Sequence, residues 1–277
     1  MKNKIWLITG ISSGLGKALA ESVIEKGDFV IGTFRQESQV EEFNKKYTKK
    51  AKAMVLDITN EESIKNCVEK IISDYSKIDV LVNNAGIGFV GAVEETSLEE
   101  VRSVFEPNFF GTLKMTQTVL PFMRKEKKGH IVQISSHGGV KAFAGFGIYN
   151  ASKFALEGFS EAMAQEVAPL GIKVSIVEPG PFRTNFAGNR LGQAEKVIGD
   201  YSETAGAFRT KLKGVNGKQE GDPIKASKAI INLINSKNQT LRLPLGKVAL
   251  MTIGMKLDSV KSDLEKNRKI AESAVYD

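Results

Sequence analysis

The sequence predicts a doubly wound α/β protein: seven parallel strands in one sheet, helices on both faces, and a single domain over residues 1–277. Two observations carry this reading. Short apolar runs alternate with stretches of helical periodicity, the pattern of repeated βαβ units. A glycine-rich turn, Thr9-Gly10-Ile11-Ser12-Ser13-Gly14-Leu15-Gly16, separates the first run from the first helical stretch, where a parallel sheet binds its ligand.

Residues 5–8 (Ile-Trp-Leu-Ile) read as the first strand, and residues 14–26 repeat Leu15, Leu19 and Val23 at helical spacing. Residues 29–31 are the second strand, followed by a polar helix over 37–47 and a third strand over 51–56. An amphipathic helix over 61–75 carries Ile64, Val68, Ile71 and Ile72, and residues 78–82 form strand four. The next helix starts at Ser97, which makes a capping box with Glu100, and continues through Val101, Val104, Phe105 and Phe109. Pro107 interrupts it, because proline lacks an N–H and clashes with the preceding turn, so a carbonyl is left free near Asn108.

Residues 130–134 are strand five, a helix runs from about residue 150 to 167, and residues 172–177 are strand six. Right-handed crossovers then place helices on both faces. From residue 179 to 221 the periodicity stops, and so long an irregular segment in a compact domain is a lid or binding loop. The chain divides accordingly: a core over 1–185, a substrate loop over 186–221 and a helix-strand-helix close over 222–277. In that close, a helix spans 224–235, a short strand 241–243 and a mostly helical tail 247–275. The tail's thin apolar stripe (Leu257, Val260, Leu264) reads as that of a surface helix.

Composition narrows the function. The chain is 42% hydrophobic and 26% charged, as a soluble globular protein is, and long enough to bury a core without staples. A single cysteine, Cys67, excludes an internal disulfide framework and points to a reducing, cytoplasmic setting. With only His130 and His137 beside it there is no sensible zinc-ligand set. No apolar segment approaches the roughly 20 residues of a membrane span. The first apolar run stops in the glycine turn, as a strand does and a signal peptide does not. The net charge of +7 comes from scattered lysines without interleaved aromatics, which speaks against nucleic acid and suits an anionic cofactor.

The glycines of the first turn let a pyrophosphate approach backbone N–H groups at the helix N-terminus. Their spacing is Gly-x-x-x-Gly-x-Gly; the literal Gly-x-Gly-x-x-Gly at Gly86, Gly88 and Gly91 has no amphipathic helix directly behind it and reads as a flexible loop. Further on, Ser135 and Ser136 end strand five, and Tyr149 and Lys153 stand four apart on one helix face. A tyrosine acting as acid or base near neutrality needs its pKa lowered by roughly 3 units from about 10, or roughly 4 kcal/mol, and a nearby ammonium supplies part of that.

These motifs, in this order, resemble the short-chain dehydrogenase/reductase family of one-domain, Rossmann-type oxidoreductases. The likeness covers residues 5 to about 185: the Gly10, Gly14 and Gly16 turn, Asp57 after strand three, Asn83-Asn84-Ala85-Gly86 after strand four and Asn108 in the kinked helix. It continues with Ser136 thirteen residues before Tyr149, then Lys153, and Pro179-Gly180 leading to Thr184. The resemblance implies an NAD(P)(H)-dependent interconversion of a ketone or aldehyde with an alcohol. Tyr149 would be the general acid/base, acidified by Lys153 and a bound nicotinamide. Ser136 would polarise the carbonyl, Lys153 would also hold the nicotinamide ribose, and Asn108 would complete a proton relay with a water held at the Pro107 distortion. Cofactor contacts would come from Gly10, Ser12, Ser13, Gly14, Leu15 and Gly16, and from Asp57 and Ile58 at the adenine. Asn84 would serve the ribose region, Phe182 and Thr184 the carboxamide end, and Tyr149, Pro179 and Gly180 would add further cofactor contacts.

Arg35, with no acid before Glu37, points to NADP(H) over NAD(H), because an arginine there accommodates the 2′-phosphate. Phe143, Phe146 and Phe186 are candidate apolar walls for a small-molecule carbonyl or alcohol, and His137 a neighbour of that site. The family's habit of pairing through two central helices implies a homodimer or homotetramer. A non-catalytic NADP-binding sensor, or an epimerase or dehydratase on the same fold, is the alternative, and the complete Ser-Tyr-Lys set argues against both.

Overall fold

The computed structural model describes residues 3–188 and 191–276. Strands β1 (Ile5–Ile8), β2 (Phe29–Phe34), β3 (Ala51–Val55) and β4 (Val80–Asn83) are joined by α1 (Gly14–Glu25), α2 (Glu37–Lys46) and α3 (Glu61–Tyr75). Local chemistry sets these limits. Asn60 accepts from Ser63 N–H to cap α3, and Ser76 takes a left-handed conformation at its end.

After β4 comes a short strand β5 (Gly88–Val90), then α4 (Leu98–Phe105) and α5 (Gly111–Lys125). These two helices are one rod interrupted by a π turn at Glu106–Phe110, so the expected proline kink takes the form of one wide turn around Pro107. Then follow β6 (Gly129–Ile134), α6 (Gly147–Val167), β7 (Ile172–Pro179), β8 (Leu191–Gln193), α7 (Ala207–Gly214), α8 (Pro223–Asn235), β9 (Arg242–Leu245) and α9 (Lys247–Glu272).

Seven strands form one parallel sheet in the order β3-β2-β1-β4-β6-β7-β9. Alternation along β1 sends Trp6 and Ile8 to a core under α1 and α8, and Leu7 to a second core under α3, α5 and α6. Both faces are covered, as a parallel sheet requires. The order reverses beside β1, so the crevice at the carboxyl ends of β1 and β4 is the place for a ligand.

Two sequence expectations need correction. The Gly86-Gly88-Gly91 segment is not a flexible loop: residues 88–90 are buried and pair in parallel with β8. Gly88 is needed for packing, since a Cβ there would lie 2.6 Å from Phe186 Cζ and 2.9 Å from Leu191 Cδ1. Nor is the segment after β7 irregular throughout. It holds β8 and α7, whose Phe208 and Leu212 pack inward; their spacing was obscured by the glycines and polar residues around them. Asn189 and Arg190 of the expected substrate loop lie outside the described residues. Helix α9 is exposed along its whole second half, with Leu257 and Leu264 60% and 66% accessible. Among the described residues no helix is long and apolar enough to cross a membrane.

Candidate active site

The turn after β1 is clipped in place by polar contacts. Gly10 N–H donates to Thr33 Oγ1 (3.1 Å), and Thr9 Oγ1 accepts from the N–H groups of Asn84 and Ala85 (3.0 Å each). Asn84 Nδ2 donates back to the carbonyls of Thr9 (2.9 Å) and Gly10 (3.0 Å). Gly10 has φ +69°, which a side chain would strain, and a Cβ on Gly16 would stand 2.2 Å from Asn84 Nδ2. Helix α1 starts at Ser13 with no side-chain cap and no acid in its first turn. Such an end presents N–H groups and a positive dipole to an anion, so the turn fits a dinucleotide pyrophosphate. Leu15 packs on the core below, and Thr184 faces the turn, its Cβ 3.4 Å from where a Gly14 side chain would begin.

The strand end Asn84-Ala85-Gly86 links this cradle to the acid/base group. A Cβ on Gly10 would touch Ala85 Cα at 3.0 Å, whereas a Cβ on Gly86 would meet Asn108 Oδ1 at 2.8 Å and Lys153 Nζ at 3.7 Å. Asn108 sits fully buried in the π turn. Its Oδ1 accepts from Ile87 N–H (2.8 Å), and its Nδ2 donates to Ile87 C=O (2.9 Å) and Ser152 Oγ (3.0 Å). The Asn108 side chain is therefore spent on protein partners.

Ser136, two residues beyond β6, is extended, accepts from Gly138 N–H (2.9 Å) and is hydrogen-bonded to Tyr149. Ser135 lies elsewhere, beside Gly139 and Glu157. Lys153 Nζ donates to Ile134 C=O (2.9 Å) and lies 6.0 Å from the Tyr149 ring centroid. Burial pushes the Tyr149 hydroxyl up to about 12, opposed by the Ser136 hydrogen bond. The expected acidic Tyr149 is thus not produced by the protein's own field: at this distance the Lys153 ammonium does not outweigh removal of the phenolate from water. Burial also brings Lys153 down to about 8, with Glu157 acting against it.

Tyr149 stands against an aromatic wall. Its ring centroid is 4.4 Å from Phe146 and 5.6 Å from Phe186; Phe208 of α7 lies 5.2 Å from Phe146 and stacks on Phe143 at 6.4 Å. His137 packs on Phe143, and its Nδ1 is paired with Thr252 Oγ1 (2.9 Å). A cleft of about 320 Å³ opens beside this wall, between Val90, Leu191 and Arg209, and not at the Tyr149 hydroxyl.

The remaining expected residues stand further apart. Arg35 is exposed directly after β2. Asp57 is exposed, its carboxylate taken up by Thr59 N–H (2.9 Å) and Oγ1 (2.8 Å), while Ile58 is buried against Gly111. Gly180 N–H donates to Leu245 C=O (2.9 Å), Pro179 pairs with Leu245 in the sheet, and Phe182 packs on Gly221 and the core.

Sequence reasoning missed Asn150, one residue after the tyrosine. Fully buried, it donates to Gly138 C=O (2.8 Å) and accepts from Phe143 N–H (2.9 Å), so it sets the crossing that carries Ser136. Its adjacency to Tyr149 is the only signal the sequence offers.

Fold, cradle and tyrosine together define a single-domain oxidoreductase built around a nicotinamide dinucleotide. The chain belongs to the short-chain dehydrogenase/reductase family: the family model described as short chain dehydrogenase matches residues 4–195. It is 42% identical to a 3-ketodihydrosphingosine reductase of Bacteroides thetaiotaomicron, over 89% of each chain. A short-chain dehydrogenase structure from Streptomyces avermitilis superposes with TM-score 0.93 at 42% identity, over 100% of both chains. A structure of ElxO with NADP bound has TM-score 0.75 at 26% identity, over 90% of this chain and 99% of that one.

Proposed function

We propose that this chain is an NADP-preferring carbonyl reductase, or alcohol dehydrogenase in reverse, with Tyr149 as its general acid/base. The observation that carries the proposal is one continuous arrangement: Tyr149 hydrogen-bonded to Ser136, with Lys153 beside Gly86, whose strand end is clipped to the dinucleotide turn. A bound nicotinamide supplies or accepts the hydride. The chain does the rest. Ser136 aims a hydroxyl at the carbonyl oxygen as negative charge grows there. Tyr149 gives its proton to that oxygen in reduction and takes it back in oxidation. Lys153 adds positive charge beside the phenolate and is fixed by Ile134 C=O, while Asn108 fixes the loop at Ile87.

Arg35 supports the preference for NADP, as the basic group at the end of β2 with no acid before Glu37. The aromatic wall favours an apolar carbonyl compound, and the relative named as a reductase of 3-ketodihydrosphingosine makes a 3-keto compound the first to try. Pairing of two copies across the central helices is favoured by the exposed Phe110 and Phe154.

The test is NADPH oxidation with a panel of ketones and aldehydes, 3-keto compounds included. Tyr149→Phe should lower kcat/KM by about 10² to 10⁴ without changing NADPH affinity. No turnover on any carbonyl, or turnover that survives the loss of the hydroxyl, would overturn the assignment.

A further inference from the structure

One turn beyond Lys153, a second set of charges is buried that the proposed chemistry does not use. Glu157 of α6 and Glu178 of β7 have side chains only 7% and 1% exposed. Arg242, reaching in from β9, is paired with Glu157 and with Glu178 Oε1 (2.8 Å), and on its outer side with the exposed Glu161 (2.8 Å). The charges balance: buried Lys153 and half-buried Arg242 against buried Glu157 and Glu178.

Lys153 needs such a balance. It is 6% exposed, and its described hydrogen bond is to a neutral carbonyl, whereas a buried ammonium without a compensating charge is strongly disfavoured. Ser135 Oγ and Glu157 Oε1 both border Gly139, 2.5 and 3.1 Å from the point where its side chain would start. We propose that Glu157 is a positioning residue: held by Arg242, it keeps Lys153 in its ammonium form beside Tyr149.

The other groups around Lys153 do not supply this charge. Tyr149 and Ser136 are neutral donors, His137 is held neutral by burial at about 4, and Glu178 is the inner partner of Arg242. Glu157 is the charged group that raises the Lys153 pKa against burial.

The proposal rests on the reductase reading for its catalytic meaning, but its direct test does not. On ¹⁵N-lysine-labelled protein without substrate, the Lys153 Nζ titration is followed by NMR. Because an anion stabilises the ammonium, Glu157→Gln should titrate at least about one pH unit below wild type, with Glu157→Asp much closer to it. Glu178→Gln removes an equally buried carboxylate from the same arginine and should shift Lys153 far less. Should Glu157→Gln leave the charges around Arg242 unbalanced and fail to fold, Glu157→Gln with Arg242→Met removes both charges and should still lower the titration. In turnover, the alkaline limb of kcat/KM should move to lower pH by the same amount, giving for a one-unit shift a loss of about fivefold at pH 8 and little at pH 6. An unmoved Lys153 in Glu157→Gln, or an equal shift in Glu178→Gln, would overturn the proposal. Absence of any carbonyl turnover in wild type would instead remove the reductase reading and leave the NMR result standing.

Discussion

The side of the site proposed for the cofactor is held by backbone geometry and short polar clips, whereas the side proposed for the substrate is held by aromatic side chains packed on one another. On the first side, Gly10, Gly16, Thr9, Asn84 and Thr33 leave little freedom: each contact is a hydrogen bond near 3 Å or a space too small for a side chain. On the second, Phe146 and Phe186 meet Tyr149, and Phe208 packs on Phe146 and Phe143, through contacts that tolerate repacking. A fixed ligand such as a dinucleotide suits the first construction. A variable carbonyl substrate suits the second.

Substitutions can break this contrast. Gly16→Val should have the largest effect, because its Cβ would run into Asn84 Nδ2 at 2.2 Å and Gly10 C=O at 2.8 Å. The expected outcome is a melting temperature lower by several degrees and NADPH affinity down by more than about tenfold, read by thermal unfolding and fluorescence titration. Binding at wild-type strength would mean that the tight turn is not the cradle.

Arg35→Ala tests the cofactor contact proposed for an exposed side chain. NADPH affinity should fall by about tenfold or more while NADH affinity stays within about twofold, since a lost charge-assisted bond to phosphate is worth about 1.5–3 kcal/mol. Equal losses for both cofactors would show that Arg35 does not read the 2′-phosphate.

The smallest effect is expected on the aromatic side. Phe208→Ala should raise KM for apolar carbonyls by about three- to tenfold and leave NADPH affinity unchanged, at a stability cost of about 1–2 kcal/mol because the ring is only partly buried. A change in cofactor affinity instead would erase the distinction between the two sides.

The two sides were not equally legible in the sequence. A dinucleotide turn depends on glycines at fixed separations within a few residues, and the strand-helix alternation places it, so Gly10, Gly14, Gly16 and Asn84 could be named from spacing and resemblance. Tyr149 and Lys153 were legible for the same reason, four residues being one helical turn. The aromatic wall joins residues 143, 146, 149, 186 and 208, brought together only by β5 pairing with β8 and by the folding back of α7.

What the sequence by itself determined is the periodic part: the seven-stranded parallel sheet, the cradle after β1, and the Ser-Tyr-Lys set on one helix and the strand before it. These are local, since strand alternation, helical spacing and turn chemistry are settled within a few residues. The tertiary structure alone decided the electrical state of that set. Burial, not the neighbouring lysine, dominates Tyr149, and Lys153 faces a carboxylate held by an arginine from the last strand, 85 residues beyond Glu157. Electrostatic energies depend on solvent exclusion and on distances between remote elements, and neither quantity exists until the chain has folded.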